Sequence, residues 1–303
     1  MRHDFNFTDI PGSSWRAAWQ IEDVLPPGAR LDFERRFMPE VLARTATIPF
    51  LRNDESLILN QVRGREYLAL FGLVEEFILP FVLDQARPQL YGDDERVRAL
   101  LNFASEEAKH VHLFRQFERL FDSGFGTRCE MIGPPEALAA EILRHDPLAV
   151  ALVILMIEWA TQSHYLDSVR GDQDLDPLFK SLLRHHWMEE AQHARVDTLM
   201  VMALAGGRDE AGIESAIDEF LEILAFLDSG LKQQASFNLD AFEVASGRRL
   251  SIRERQALDG QQHQALRWTY LGSAMLHPKF TATLTAISST AGNRIAQVAP
   301  TFA

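Results

Sequence analysis

The sequence predicts an all-α protein organised around a four-helix bundle. No stretch alternates apolar and polar residues as a half-buried strand would, and the long segments begin at capping residues and end at glycine or before proline. The pentamer Glu-Glu-Ala-x-His also occurs twice, at Glu106–His110 and at Glu189–His193. Because each copy lies inside a long helical segment, the repeat indicates two equivalent helices that carry ligand-like side chains on one face.

The composition is that of a globular protein with a sizeable core. The chain has 303 residues, of which 47% are hydrophobic and 24% charged, and a formal net charge of −13, which argues against a nucleic-acid or anionic-membrane partner. Cys129 is the single cysteine, so an internal disulfide is excluded. The N-terminus has no secretory pattern, and the longest apolar run, Leu148 to Ile157, is shorter than the roughly 20 residues that span a bilayer. We therefore expect a cytoplasmic protein.

We expect one helical domain over residues 1–303, with three parts. Residues 1–53 form an N-terminal extension, residues 54–207 the metal-binding four-helix bundle, and residues 208–303 additional helices. Prolines interrupt the extension, which leaves one short helix near Leu31 to Ala43, and Trp15 and Trp19 are expected to anchor it on the core. A role of the extension in substrate access or in dimerisation is a hypothesis at this point.

Capping residues and breakers define the helices in order. Asp54 and the Asp93-Asp94 pair are plausible starts of the first two bundle helices, and Asp176 followed by Pro177 starts the fourth. The bundle helices are expected at Asp54 to Ala86, Asp94 to Asp122, Leu148 to Val169 and Pro177 to Ala205. Further helices are expected from Pro135, at Gly212 to Ala245, at Ile252 to Gly272 and, more weakly, after Pro278.

Acidic residues interrupt the apolar parts of two bundle helices. Glu158 lies inside the apolar block of the third helix, and the pair Glu75-Glu76 lies inside that of the first. A buried carboxylate is costly without a counter-charge or a metal ion. Only one member of the pair can face inward, because helix neighbours diverge by about 100°. Analogy with the two later doublets favours Glu76, whereas the charged face of the helix favours Glu75, so both stand as candidates.

Each half of the bundle thus has a helix with one Glu, followed by a helix with Glu-x-x-His. This is the ligand arrangement of ferritin-like di-iron or di-manganese carboxylate bundles. Four carboxylates balance the charge of two divalent ions, and imidazoles favour iron over calcium or magnesium. Surface i,i+3 pairs would not explain the buried acids. The predicted metal ligands are Glu75 or Glu76, Glu107, His110, Glu158, Glu190 and His193. Asp197, four residues after His193, either orients that imidazole or lies in solvent.

A third histidine distinguishes this pattern from the six-ligand one. His186 stands four residues before Glu190 and completes the motif His-x-x-x-Glu-x-x-His with His193. The motif resembles that of the p-aminobenzoate N-oxygenase family of di-iron arylamine oxygenases, over roughly residues 55–205 and on motif spacing. The resemblance implies that His186 is a seventh ligand, and the alternative is a surface histidine beside His185.

The resemblance also implies a function. It predicts a non-haem di-iron oxygenase that activates O₂ through a peroxo intermediate and oxidises a small organic substrate, such as an arylamine to hydroxylamine and nitro products. The ligand set accepts two iron ions and also manganese. C–H hydroxylation would use the same metals. Electrons would come from an external donor or reductase, because the sequence has no flavin, nicotinamide or iron–sulfur motif. A homodimer is the expected assembly.

Two other functions stand as alternatives. One is a ferritin-like protein that oxidises or handles iron without an organic substrate, although the long segments on both sides of the bundle favour a covered active site. The other is a radical-generating subunit. Phe114, one turn after His110, disfavours this, because many ribonucleotide reductase small subunits have their radical tyrosine at that position.

Overall fold

Helices form nearly all of the regular structure of residues 6–302, the part of the chain that this computed structural model describes. An isolated bridge between Arg36 and Leu175 is the sole β-type pairing within that range. This confirms the predicted all-α class. Residues 1–5, on which the absence of a secretory pattern was judged, and residue 303 lie outside the described range.

The N-terminal extension contains three short helices, and its predicted helix from Leu31 to Ala43 is wrong except for the final turn. Asn60 explains the difference, because its Oδ1 accepts hydrogen bonds from the backbone N–H groups of Phe37 (2.9 Å) and Met38 (3.0 Å) and holds that segment out of a helix. The short helices are α1 (Ile10–Ala17), α2 (Ile21–Val24) and α3 (Glu40–Ala43).

One of the two predicted tryptophan anchors is correct. Trp19 is 4% exposed, whereas Trp15 is 69% exposed, so its prediction as an anchor is wrong. In α1, Ile10 and Ser14 stand four residues apart and face the core together. Trp15 is one residue further on and therefore points about 100° away from them, into solvent.

Four long helices form the bundle, in two neighbouring pairs. A short 3₁₀ turn (Arg87–Gln89) joins the first pair, so its helices run antiparallel, and a longer connection containing one helix leads to the second pair. The Asp176 cap is confirmed, since its side chain accepts from Phe179 N at 2.6 Å. Together these features form a ferritin-like bundle. The helices are α4 (Asn53–Ala86), α5 (Asp94–Phe125), α6 (Pro135–Leu143), α7 (Pro147–Ser163) and α8 (Pro177–Ala205).

Helix α7 is the central core helix of the molecule. A π-helical turn, His164–Val169, extends it to the predicted end. The segment Pro147–Val169 is long and apolar enough to cross a membrane by length and composition, but 94% of its most apolar window is buried against the rest of the protein. Its apolar character is therefore explained by core packing.

The C-terminal helices cover one side of the bundle. Helix α9 packs on α4 and α7, and a small second apolar cluster forms where Leu239 and Phe242 of α9 meet Leu59 of α4. Helix α4 also approaches the extension closely at Gly64, where a Cβ would lie 2.6 Å from Phe37 Cβ. These helices are α9 (Glu210–Ser246), α10 (Ile252–Arg267, extended by a π-helical turn, Trp268–Gly272), α11 (Ser273–Met275), α12 (Pro278–Ile287) and α13 (Ser289–Val298), followed by a 3₁₀ turn (Ala299–Phe302).

Candidate metal centre

A cluster of acidic and histidine side chains lies in the middle of the bundle, where α4, α5, α7 and α8 meet. Every member is at most 4% exposed. One Glu comes from α4, one from α7, a Glu and a His from α5, and a Glu and two His from α8. The members of this metal-ligand cluster are Glu75, Glu107, His110, Glu158, His186, Glu190 and His193.

The donor atoms fall into two overlapping groups that share His110 and Glu190. Glu75 and His186 complete the first group, and Glu107 and His193 complete the second. Within each group the donor atoms lie within 4.8 Å of one another, so each can surround one metal ion. The shared residues place the two positions side by side.

Glu190 is the centre of the cluster. Its Oε1 lies 2.7 Å from His186 Nε2 and 3.0 Å from His110 Nδ1, and its Oε2 lies 2.8 Å from His193 Nδ1. His186 Nε2 also lies 2.8 Å from Glu75 Oε1. One carboxylate thus touches all three imidazoles, which suits a ligand placed between two ions.

Several carboxylate oxygens in the cluster lack hydrogen-bond partners. Among the described residues, no donor reaches either oxygen of Glu107, Oε2 of Glu75 or Oε2 of Glu158 with hydrogen-bond geometry. His193 Nδ1 approaches Glu107 Oε1 to 2.8 Å without that geometry. Buried oxygens of this kind are costly unless something else compensates them.

The pKa shifts of the cluster residues also indicate that its carboxylates require compensating positive charge. Burial raises the pKa values of Glu75 and Glu158 well above their usual range, and the neighbouring carboxylates raise them further. Burial acts in the same direction on Glu190, but the charges of His193 and His186 outweigh it and hold its pKa well below the usual range. Two divalent cations would neutralise the four carboxylates and occupy their free oxygens. The residues therefore fit a two-metal site.

The first Glu of each doublet has a role that the sequence analysis missed. His110 of α5 donates through Nε2 to Glu189 of α8 (2.7 Å), and His193 of α8 donates through Nε2 to Glu106 of α5 (2.9 Å). Each doublet thus places one Glu in the cluster, while the other holds the histidine of the facing helix with its Nδ1 turned inward. The signal was present in the sequence as the repeated doublet.

The N-terminal extension covers this layer of the site. The Trp19 ring stacks on His110, with ring centroids 5.7 Å apart, and its Nε1 donates to the carbonyl of His185 at 2.8 Å. Lys109 Nζ lies 3.9 Å from the Trp19 ring centroid and 2.5 Å from Glu189 Oε1. Ser14 of α1 also donates a hydrogen bond to Glu106. The extension therefore contacts Glu106 directly through Ser14. Through Trp19 it contacts His110 and Lys109, the two residues that bind Glu189.

Two predicted positions lie elsewhere. Glu76 is half-buried at the surface and forms an ion pair with Arg115 (2.5 Å), so the analogy that favoured it over Glu75 is wrong. Asp197 is fully buried, yet neither of its oxygens accepts a hydrogen bond within the described chain. Both predictions for Asp197 are wrong: its burial excludes a position in solvent, and Glu106 rather than Asp197 accepts from the outer nitrogen of His193. Burial raises the pKa of Asp197 well above its usual range.

An aromatic shell separates the cluster from the rest of the core. The ring centroids of Phe114 and Phe71 lie 5.0 Å and 5.4 Å from that of His186, and Phe103 lies 4.2 Å from His193. Such a shell excludes water and lowers the local dielectric. At the position of Phe114, one turn after His110, the side chain beside the cluster is therefore a phenyl ring and not a phenol.

Comparisons with known proteins show a likeness in fold only. No family model matches the chain, and no curated protein matches its sequence. Solved structures of an R2-like ligand-binding oxidase resemble it at low identity. A point variant with aerobically reconstituted Mn/Fe cofactor has 17% identity and a TM-score of 0.47, and covers 88% of this chain and 93% of that chain. The oxidase with aerobically reconstituted Mn/Fe cofactor after a long soak has 14% identity and a TM-score of 0.45, over 89% and 97% of the two chains. A likeness at this level does not extend to metal, substrate or reaction.

Proposed function

We propose that this protein is a non-haem dimetal oxygenase that uses O₂ to oxidise a small organic substrate, with two iron ions as its metals and manganese as an alternative at either position. The observation that supports this best is the buried cluster of four Glu and three His with carboxylate oxygens left without partners. Our more specific proposal is N-oxygenation of an arylamine, which rests on the His186 motif.

The chain's own residues have defined tasks in this proposal. When bound, the two ions supply the reduction of O₂, in which substrate, O₂, two electrons and two protons yield oxygenated substrate and water. Glu75 and His186 would hold one ion and Glu107 and His193 the other. The two oxygens of Glu190 could serve both ions, whereas His110 could serve one, because its Nε2 is occupied by Glu189. Glu189 orients His110, and Glu106 orients His193 in the same way. The aromatic shell keeps the reaction away from water.

A small apolar cavity lies next to two of the cluster helices. It encloses about 60 Å³ between α4, α6, α7 and α9, and its lining includes Val74 and Ile157, the chain neighbours of Glu75 and Glu158. No charged side chain of the described residues lines it, and Tyr270 is its single phenol. Its walls would favour a neutral ligand over an anion, but its volume is smaller than an aniline, so the cavity does not by itself define a substrate pocket.

Metal analysis and isotope labelling test the proposal. The protein is loaded with Fe(II) without oxygen, the metal content is measured, and the reduced protein is mixed with ¹⁸O₂ and aniline or uncharged substituted anilines. We expect two metal ions per chain and ¹⁸O in a hydroxylamine or nitro product. Glu107→Ala should abolish both results, and Glu76→Gln, a change of the outward-facing acid, should leave them intact.

Three results would contradict parts of the proposal. No bound metal would exclude the metal centre. Two oxidised irons with no labelled product from any amine or hydrocarbon would indicate an iron-handling protein. Labelled product from hydrocarbons but not from amines would retain the oxygenase and remove N-oxygenation. The cytoplasmic location and the homodimer stay predictions from the sequence.

A further inference from the structure

The proposed reaction consumes two electrons for each substrate, and the sequence contains no motif for a redox cofactor that would supply them. The electrons must therefore enter from outside, across the protein surface. This inference, which rests on the proposed function, concerns the part of the surface at which the electrons enter.

A surface groove lies directly behind the helix that carries three of the cluster residues. We name it the α1–α8 groove; it measures about 390 Å³ and is lined by residues of those two helices that include Arg16, Trp187, Ala191, Gln192 and Arg195. The α8 residues stand at helical spacing, so they form one continuous outer stripe.

The groove is one helix away from the cluster. Trp187, Ala191 and Gln192 are the chain neighbours of His186, Glu190 and His193, which point inward from the same turns. An electron that arrives in the groove therefore has to cross only α8, whose diameter is about 10 Å. Trp187 is half-buried there and stacks on Tyr165, with ring centroids 4.5 Å apart.

The groove is cationic although the whole chain is strongly acidic. Arg16 and Arg195 line it, Arg184 lies on the same face of α8, and Lys279 of α12 lies within electrostatic reach of Arg195. None of the four forms an ion pair with another residue of the range 6–302, and no acidic residue of that range lines the groove. Asp167 is an acidic group close enough to His277, the N-cap residue of α12, to raise the pKa of that histidine, although burial lowers it overall.

The cations also occupy fixed positions. Arg16 donates to Ser13 Oγ at 3.0 Å, Arg195 donates to Gln192 Oε1 at 3.3 Å, and Lys279 Nζ lies 4.3 Å from the ring centroid of Trp159. These cations lie on α1, α8 and α12, and together they cover a larger area than a small anion would contact. Exposed Trp15 stands next to Arg16 in the chain and offers an aromatic contact of the kind common in protein interfaces.

We propose that the α1–α8 groove is the docking surface for a small acidic electron-carrier protein of the [2Fe–2S] ferredoxin class. Each docked carrier loses one electron and one ferric ion of the metal centre gains it, so two carriers serve one turnover. Complementary charge speeds such encounters, and the effect weakens with salt. Charge repulsion from the rest of this acidic chain directs the carrier to the groove.

Stopped-flow reduction measures the effect. The ferric, iron-loaded protein is mixed without oxygen with reduced plant-type ferredoxin as the probe, and reoxidation of the ferredoxin is followed at several salt concentrations. We expect a bimolecular rate that falls with salt, and a fall of about tenfold or more at low salt in the double variant Arg184→Glu, Arg195→Glu. The double variant Arg249→Glu, Arg253→Glu makes the same change in net charge at two exposed positions near the start of α10; it is the matched control and should keep at least half of the rate.

Reduction by dithionite separates the two proposals. If dithionite reduces all variants equally while ferredoxin is slow only with the Arg184/Arg195 double variant, the docking surface is supported. An unchanged ferredoxin rate in the Arg184/Arg195 double variant, or an equal loss in the Arg249/Arg253 control, would overturn it. Loss of the ferredoxin rate when inorganic phosphate replaces chloride at constant ionic strength would instead identify a small-anion site and also overturn it. Failure of dithionite to reduce even the unaltered protein would refute the proposed function itself, and the docking inference with it.

Discussion

The contact between Glu189 and His110 allows a quantitative test of the outer glutamates. Glu189→Gln keeps the size and the hydrogen-bond acceptor but removes the charge from a 2.7 Å contact that is fully buried. A buried hydrogen bond to a charged group contributes about 1.5–3 kcal/mol and a neutral one about 0.5–1.5 kcal/mol, so the loss, taken between the midpoints, is about 1.2 kcal/mol. This corresponds to about eightfold weaker metal binding, close to the lower end of what loss of such partners causes.

Competition with a chelator measures this change. The protein is titrated with Fe(II) without oxygen in the presence of a coloured chelator, and the affinity of each site is extracted. Glu106→Gln should weaken binding to a similar extent, because its contact with His193 is equivalent. Glu76→Gln removes an acid outside the cluster and serves as the control. Affinities within about twofold of the unaltered protein for both doublet variants would refute the role assigned to the outer glutamates.

Four further predictions follow from single residues. His186→Ala should weaken metal binding about tenfold or more, measured by the same titration, and His185→Ala, its half-buried neighbour, should not. Burial lowers the pKa of His164 to about 4 from about 6.5 in the unfolded chain. The unfolded state therefore takes up a proton first as the pH falls. Stability should decrease by about 3 kcal/mol between pH 6.5 and pH 4, and urea unfolding of His164→Gln should lack that part of the decrease. Gly64→Ala places a methyl group 2.6 Å from an aromatic side chain of the extension and should cost about 1–3 kcal/mol in unfolding free energy. Gly260→Ala adds a methyl group in open space and should instead stabilise by about 0.5–1 kcal/mol.

Helix positions were predictable because their signals are local. The Asp176-Pro177 start and the glycine ends of the bundle helices depend on a few neighbouring residues, and the structure reproduces them within a few positions. The extension was less predictable. Its segment before α3 is held by the Asn60 side chain of another helix, and no local pattern encodes that contact.

The candidate site also has a part that the sequence predicted and a part that it did not. The spacing Glu-x-x-His places its two side chains on one face of a helix whatever the rest of the protein does, and the structure brings both copies together. The choice between Glu75 and Glu76 depends on how α4 is rotated about its axis. Tertiary packing sets that rotation, and the analogy with the other doublets pointed the wrong way.

By itself the sequence determined the all-α class, the helices of the bundle and the side chains that share a helix face, because backbone hydrogen bonding and helical periodicity act over a few residues. The tertiary structure decided which member of the Glu75-Glu76 pair enters the cluster, and it placed Glu106 and Glu189 against the histidines of the facing helices. It also decided that Trp19 rather than Trp15 packs over the site and that Asp197 is buried without a partner. These outcomes depend on the relative rotation and spacing of helices far apart in the chain, and the packing of the whole core sets both.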